Sequence, residues 1–218
     1  MIPPNRRFCC ALLTLAPLLL CFTPLASHGA VIFTDFGPGD SYATTQGWVI
    51  GGPAGVGPVT PAMPFDVSGG SCTFGMLELA AGRVFGTNRV DVSLMDDAAG
   101  VPGTTLESFT FTDALGPFGQ LNPLLAASSV LRPTLLDGHR YWLEVVPGAT
   151  DTFAGWNLNG AGMVGGAASQ GGGPWTWVDV PRAAFRISGA PIPEPPVGLL
   201  VAAGLGLLGA FAGARRLR

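Results

Sequence analysis

Between residues 31 and 190, the apolar side chains occur in short runs, and turn-forming residues separate one run from the next. In the run 89–95, Val90, Val92 and Leu94 fall on one side and polar residues fall on the other. Alternation with a period of two is typical of a half-buried β-strand. Because such runs recur throughout the segment without a long helical pattern, the sequence predicts an all-β domain, an antiparallel β-sandwich of jelly-roll-like type.

The predicted strands are all short and either apolar or alternating. They lie at 31–33, 47–50, 74–79, 89–95, 106–112, 140–146, 175–180 and 183–188. Only Leu124 to Leu131 could be helical. Loops are predicted from Asp96 to Gly103, at Asp137-Gly138 and, as a flexible stretch, across the glycine-rich Gly160 to Gly173.

Charge and cysteine content limit the functions open to this segment. Residues 31–190 contain thirteen acidic residues against six arginines, and the chain has no lysine. An acidic domain is repelled by the phosphate backbone, so nucleic-acid binding is excluded. Cys72 is the one cysteine outside the N-terminal segment, so no intrachain disulfide is expected and Cys72 is predicted to be a buried apolar residue.

Residues 1–30 have the composition of a secretory signal peptide. Arg6 and Arg7 precede the apolar run 8–22, and small residues at 26–30 supply a peptidase site. Two alternatives are weaker. A lipoprotein signal would place a small residue before Cys21, where the chain has leucine, and the residues around the two arginines fit a twin-arginine signal poorly.

The C-terminal segment 191–218 contains a proline-rich spacer, an uncharged stretch and a basic end. The uncharged stretch, 197–214, would form about 27 Å of helix, which is enough to cross a thin hydrocarbon core. It is followed by Arg215, Arg216 and Arg218, and positive charge beside a span holds that end in the cytoplasm. The sequence therefore predicts a single transmembrane helix with the domain on the outer, periplasmic side.

Pro193, Glu194 and Pro195, followed by the Gly/Leu/Ala-rich span and the arginines, resemble the PEP-CTERM sorting signal. Proteins with this signal occur in Gram-negative bacteria that make extracellular polysaccharide. The resemblance implies recognition by an exosortase, a membrane protease-transpeptidase that acts near the Pro-Glu-Pro motif and removes the tail. A single-span anchor that is never processed is the alternative.

The middle of the chain resembles a second family, the choice-of-anchor β domains found before PEP-CTERM tails. The similar stretches are 36–42 with Gly47-Trp48, 94–103, 106–109 and 141–143. The resemblance implies a β domain and assigns no chemistry to it.

Candidate catalytic and metal sites are few. His139 is the one histidine outside the signal segment, and it is expected at a solvated turn. Asp96 and Asp97 are an adjacent carboxylate pair of the kind that could hydrolyse glycosides, although neighbours in a turn point apart. Asp35 and Asp40 flank a turn and could hold a structural calcium ion. No cofactor, metal site or catalytic residue is predicted.

Aromatic residues late in the domain are the best indication of binding. Trp156, Trp175 and Trp177 are candidate glycan contacts, because flat exposed tryptophans stack on sugar rings. Asn157 and Asn159 could add amide hydrogen bonds. Burial of the tryptophans in the core is the competing interpretation.

The sequence as a whole predicts a non-enzymatic surface or matrix protein. It would be exported, held in the inner membrane, sorted by an exosortase and delivered to the cell surface or to the exopolysaccharide layer. A carbohydrate-binding module is the first alternative, and a carboxylate-dependent glycoside hydrolase is the second.

Overall fold

The computed structural model of the protein describes residues 29–192, and within this range the secondary structure is all β apart from one turn of 3-10 helix at Pro38–Asp40. No helix in this part of the chain has the length and apolar character that a membrane crossing requires. The predicted signal peptide, sorting motif, membrane span and basic end fall on residues outside the described range.

Fifteen strands are present in residues 29–192. They are β1 Ala30–Thr34, β2 Tyr42–Gly51, β3 Val59–Asp66, β4 Cys72–Leu79, β5 Ala81–Phe85, β6 Arg89–Asp97, β7 Pro102–Thr112, β8 Gly116–Pro117, β9 Leu125–Ser128, β10 Thr134–Leu135, β11 Arg140–Pro147, β12 Phe153–Asn159, β13 Val164–Gln170, β14 Thr176–Pro181 and β15 Phe185–Pro191.

The smaller sheet has five strands and joins the two ends of the domain. Its order is β1-β15-β4, and the free edge of β4 is shared by β9 and β10. Ala30 of β1 lies opposite Gly189 of β15 in an antiparallel pair. The first and last strands of the domain are therefore neighbours, and residues 30 and 189 lie side by side.

The larger sheet has ten strands and curls. Its main path is β7-β6-β11-β3-β2-β12-β5-β8, and all of its pairs are antiparallel except β5 with β8. The hairpin of β13 and β14 joins through β13 to the first half of β3. Ala62 pairs with both Ala167 and Glu144, so β3 is the strand where the hairpin meets the rest of the sheet.

The core lies between the inner faces of the two sheets, which gives a sandwich-like arrangement. The large sheet contributes Val90, Val92 and Leu94, all fully buried as the alternation predicts. The small sheet contributes alternating residues of β4 and β15 to the same cluster. Its fully buried members there are Phe74, Leu77, Leu79, Phe185 and Ile187.

The expectation of a helix within Leu124 to Leu131 is wrong. Leu125–Ser128 is strand β9, paired with Met76 to Leu79 on the edge of β4. An apolar run this short has no periodicity that separates helix from strand, so the open edge of β4 decides its conformation.

Two predicted loops are also corrected. The glycine-rich stretch contains strand β13. A Cβ at Gly165 would overlap the ring of Trp177, and a Cβ at Gly166 would overlap Met63 and crowd Trp48. Because these glycines have no side chain, the larger side chains of Trp177 and Met63 can pack directly against the backbone of β13. Asp96 and Asp97 belong to β6, so the loop before β7 covers only residues 98–101.

Two local predictions are confirmed. Cys72 is a free, buried cysteine, and burial raises the pKa of its thiol. Gly138 has the positive φ of 72° that a tight turn after Asp137 requires, and the N–H of His139 closes the turn on the carbonyl of Leu136.

Replacement of Phe185 by alanine should strongly destabilise the domain. The fully buried ring contacts aromatic rings from three other strands, so we expect a loss of about 3 to 5 kcal/mol in the free energy of unfolding. Chemical denaturation measures this. Phe85→Ala removes a half-exposed ring and is the matched control, with an expected loss below about 2 kcal/mol. Equal losses would show that Phe185 is not a central core residue.

Candidate functional site

An apolar groove of about 520 Å³ lies along β2 and β12 of the large sheet. Strands β2 and β12 form its floor and β14 forms one wall. Every lining residue is uncharged. They are Thr45, Gln46, Gly47, Trp48, Val49, Val84, Phe118, Phe153, Ala154, Gly155, Leu158, Val178, Val180 and Pro181.

Phe118 rests on the floor of this groove because glycines make room for it. A Cβ at Gly47, Gly82 or Gly155 would contact or overlap Phe118, and the closest overlap is at Gly155. The three glycines lie on β2, β5 and β12. Three adjacent strands therefore each have a glycine at this place, and Phe118 occupies the space that their side chains would fill.

Trp48 fixes one side of the groove. Its indole N–H donates to the carbonyl of Pro181 at 2.8 Å, which ties β2 to the end of β14. With the indole N–H engaged, the ring is held as an apolar wall. The groove suits an apolar or ring-shaped ligand held by contact, with Gln46 and Thr45 as its polar groups.

No local pattern in the sequence predicts this groove. The run 47–50 predicts only a strand for Trp48, and Phe118 lies in none of the predicted strands. The glycines of the floor lie on three different strands, so their common position depends on the sheet order. Only the repeated glycines inside apolar runs carry a signal for it, because glycine in a strand often marks a close approach.

Trp156 does not contact solvent, so its prediction as a glycan contact is wrong. The ring is 0% exposed, packs 5.9 Å from Phe185 and donates its indole N–H to the carbonyl of Ala184 at 2.9 Å. Trp156 faces the core because the curl of the large sheet turns that side of β12 inward.

Trp175 and Trp177 lie together against a second, smaller apolar cluster. Trp175 is partly buried there, beside Trp142 and Ala167. Trp177 is 50% exposed, and its ring meets Trp142 edge-on at a centroid distance of 6.3 Å. Trp177 is thus the one of the three predicted tryptophans that presents a large surface to solvent.

The side chains of Asn157 and Asn159 form hydrogen bonds with the backbone. The amide of Asn157 donates to the carbonyls of Ala43 and Thr44, and it spans the bulge between β12 and β2. The amide of Asn159 donates to Met163 and Arg182. Both side chains are buried, so their predicted role in binding sugar hydroxyls is wrong.

The adjacent carboxylates Asp96 and Asp97 each accept a backbone N–H, Asp97 from the loop between β6 and β7 and Asp96 from the first residues of β7. Asp96 accepts the N–H of Thr104, while Asp97 accepts the indole N–H of Trp142 at 2.7 Å and the N–H of Gly100 at 2.9 Å. Both carboxylates border a surface pocket of about 460 Å³ together with the exposed His139. These hydrogen bonds give both carboxylates a structural role in holding the start of β7, the loop before it and the Trp142 ring.

Asp35 and Asp40 do not form a calcium site together. Asp40 pairs with Arg186 at 2.8 Å, and Arg186 also binds Glu78 at 2.6 Å. Asp35 instead accepts the N–H of Phe185 inside the protein. Across residues 29–192, no three His, Cys, Asp or Glu side chains come together in a way that could ligate a metal ion.

Asp35 is the most perturbed acid in this part of the chain. One carboxylate oxygen bonds the N–H of Phe185 at 2.8 Å, and the other is buried without a hydrogen-bond partner among the described residues. Burial raises the pKa of Asp35 to about 7, although the hydrogen bond from Phe185 and the charge of Arg182 oppose the shift. The carboxyl therefore stays protonated in the folded state under mildly acidic conditions.

No protein-family model matches the sequence, and no curated protein is significantly similar to it. Function is therefore inferred from the chain's own residues.

Asp35→Asn should flatten the dependence of stability on pH. The unfolded carboxyl ionises near 3.8 and the folded one near 7, so the unfolded state loses its proton first as pH rises. The contribution of Asp35 to stability is complete below about pH 4 and lost through about pH 7, a total of about 4 kcal/mol. Thermal unfolding between about pH 4 and 8 should show the variant gaining on the parent as pH rises.

The matched control is Asp179→Asn, which removes an exposed carboxylate from β14. An Asp35→Asn profile that runs parallel to the Asp179→Asn profile would contradict the assignment of a raised pKa to Asp35.

Proposed function

We propose that the protein is a non-enzymatic, exported surface or matrix protein, sorted through Pro193, Glu194 and Pro195 by an exosortase and associated with exopolysaccharide. The ordered series of signal peptide, β domain, Pro-Glu-Pro motif, apolar span and arginines supports this proposal. In it, the domain is first held on the periplasmic side of the inner membrane and is then released to the cell surface.

The observation that carries the proposal is the adjacency of the two ends of the domain. Ala30 lies beside Gly189 in the β1–β15 pair, so the junction with the predicted signal peptide and the junction with the sorting segment lie at one place. Both targeting segments would therefore leave the domain toward the same membrane, and neither would have to cross the folded body.

We assign the domain to antiparallel, jelly-roll-like sandwiches of the choice-of-anchor type. The mixed order of distant strands in both sheets and the buried inner faces support this assignment.

A hydrolase is the least supported of the three functions. Asp96 and Asp97 are the adjacent pair, and both already accept hydrogen bonds, Asp96 from Thr104 and Asp97 from Gly100 and Trp142. These hydrogen bonds occupy the carboxylate oxygens that an acid and a nucleophile or base would need for glycoside hydrolysis.

A carbohydrate-binding role is the second candidate, and the half-exposed ring of Trp177 favours it. The ring is held by its edge contact with Trp142, so it is pre-oriented, and preorganised aromatic surface costs little conformational entropy on binding.

The intact mass of the protein purified from its host tests the sorting proposal. We expect a polypeptide that ends between Pro193 and Pro196, because cleavage near the motif removes the apolar span. Glu194→Ala should block processing and leave the tail in place. Asp179→Ala, a surface acid outside the motif, is the matched control and should be processed normally.

A mass that retains Val197 to Arg218 in the parent protein would contradict exosortase sorting. The protein would then be a resident single-span membrane protein.

Trp177→Ala tests the carbohydrate-binding role. If Trp177 stacks on sugar rings, loss of the ring should weaken retention of the protein by host exopolysaccharide in affinity electrophoresis by about tenfold, which is the effect of about 1.4 kcal/mol. Val164→Ala removes a similarly exposed apolar group from the neighbouring strand and should leave retention unchanged. Equal retention of both variants would argue against this role.

A further inference from the structure

The turn between β9 and β10 carries two of the most exposed apolar side chains among the described residues. Val130 is 84% exposed and Leu131 is 69% exposed. Arg132, the next residue, has a positive φ of 50°, which reverses the chain sharply. The two side chains therefore stand out from the edge of the small sheet.

This turn is held firmly by a buried carboxylate. Glu107 of β7 accepts the backbone N–H of Val130 at 2.6 Å and that of Leu131 at 3.0 Å, and it also accepts the hydroxyl of Ser129. The Ser129 hydroxyl oxygen in turn accepts the N–H of Arg132 at 2.8 Å. The buried carboxyl group of Glu107 thus fixes the backbone of a turn whose apolar side chains are mostly exposed to solvent.

The turn lies close to the junctions with the two targeting segments. The N–H of Ser129 donates to the carbonyl of Gly75, which is next to the bulge where β15 passes Gly189. Arg132 lines one surface pocket together with Gly29 and Ala190. Other exposed apolar residues of the small sheet and the loops at this end are Val31, Leu136 and Ile192.

The length of the spacer determines how far this end can lie from a bilayer. Ile192 is the last described residue and the predicted span starts at Val197, so five residue steps separate them and reach at most about 17 Å. The headgroup layer takes up about 5 to 8 Å of that distance. While the tail is inserted, Ile192 must therefore stay within about 10 Å of the lipid headgroups. The turn that carries Val130 and Leu131 is close to this exit, because Arg132 shares a surface pocket with Ala190.

We propose that Val130 and Leu131 insert into the lipid interface while the tail anchors the protein, so that the domain rests on the membrane in one orientation. This proposal rests on the proposed function, which supplies the membrane-anchored stage. The contact is apolar and needs no basic patch, in keeping with the net negative charge of residues 31–190. The one charged side chain within the turn is Arg132, and it can reach the headgroups.

Depth-dependent fluorescence quenching tests the proposal in the full chain. Cys9, Cys10 and Cys21 are replaced by alanine so that the buried Cys72 is the only native cysteine, and Val130→Cys is labelled with an environment-sensitive dye. The protein is placed in phosphatidylcholine nanodiscs whose lipids carry a quencher just below the headgroup. Quenching at position 130 should be at least about twofold stronger than at Val164→Cys, a half-exposed valine on β13.

Leu131→Cys is a second labelling site in case Val130→Cys folds poorly. Equal quenching at the turn and at position 164 overturns the proposal. Protection of the turn from a water-soluble quencher without quenching by lipid indicates a protein occupant, and it also overturns the proposal.

Flotation with phosphatidylcholine vesicles of the chain 31–218, which lacks the predicted signal peptide, tests the membrane-anchored stage separately from the lipid contact of the turn. A chain that does not float refutes the membrane-anchored stage, and this proposal falls with it. A chain that floats with an unquenched turn refutes the lipid contact alone.

Discussion

Phe185, the first residue of the last strand, is the point at which distant parts of the domain are fastened together. Its ring packs on Phe33 of β1, Phe65 of β3 and Trp156 of β12, at centroid distances between 4.9 and 6.0 Å. Its backbone N–H is bonded by the buried carboxylate of Asp35. Both sheets therefore depend on one residue near the C-terminal end of the domain, through apolar contact and through a hydrogen bond in low-dielectric surroundings.

Local pattern predicted the elements whose conformation is decided by their own sequence. The alternation of Val90, Val92 and Leu94 gave both the strand β6 and its buried face, and Asp137-Gly138 marked a turn. It failed for β9 and β13, where an open sheet edge and the bulk of a neighbouring indole decide the structure. Those causes act between residues far apart in the chain, so no local window contains them.

In the candidate site, too, the surroundings of a residue depend on distant parts of the chain and not on its local sequence. Composition alone does not distinguish the tryptophans, whereas the curl of the large sheet places Trp156 inside the protein and leaves Trp177 half exposed. The polar residues suggested by proximity in sequence, among them Asn157 and Asp97, are used by the backbone and by loops. A β domain with many bends has many backbone groups that lack a ladder partner, and its scarce polar side chains satisfy them.

The place of β15 between β1 and β4 has a consequence for the timing of folding. Among the described residues, β1 pairs only with β15, so the strand made first has no partner until the strand made last arrives. In the proposed export, the N-terminal end crosses the membrane first. The small sheet would then close only after residue 191 has crossed, at the moment the apolar tail enters the bilayer. Completion of the fold and arrival of the sorting segment would thus be a single event, and the exosortase would meet its motif on a domain that has just closed.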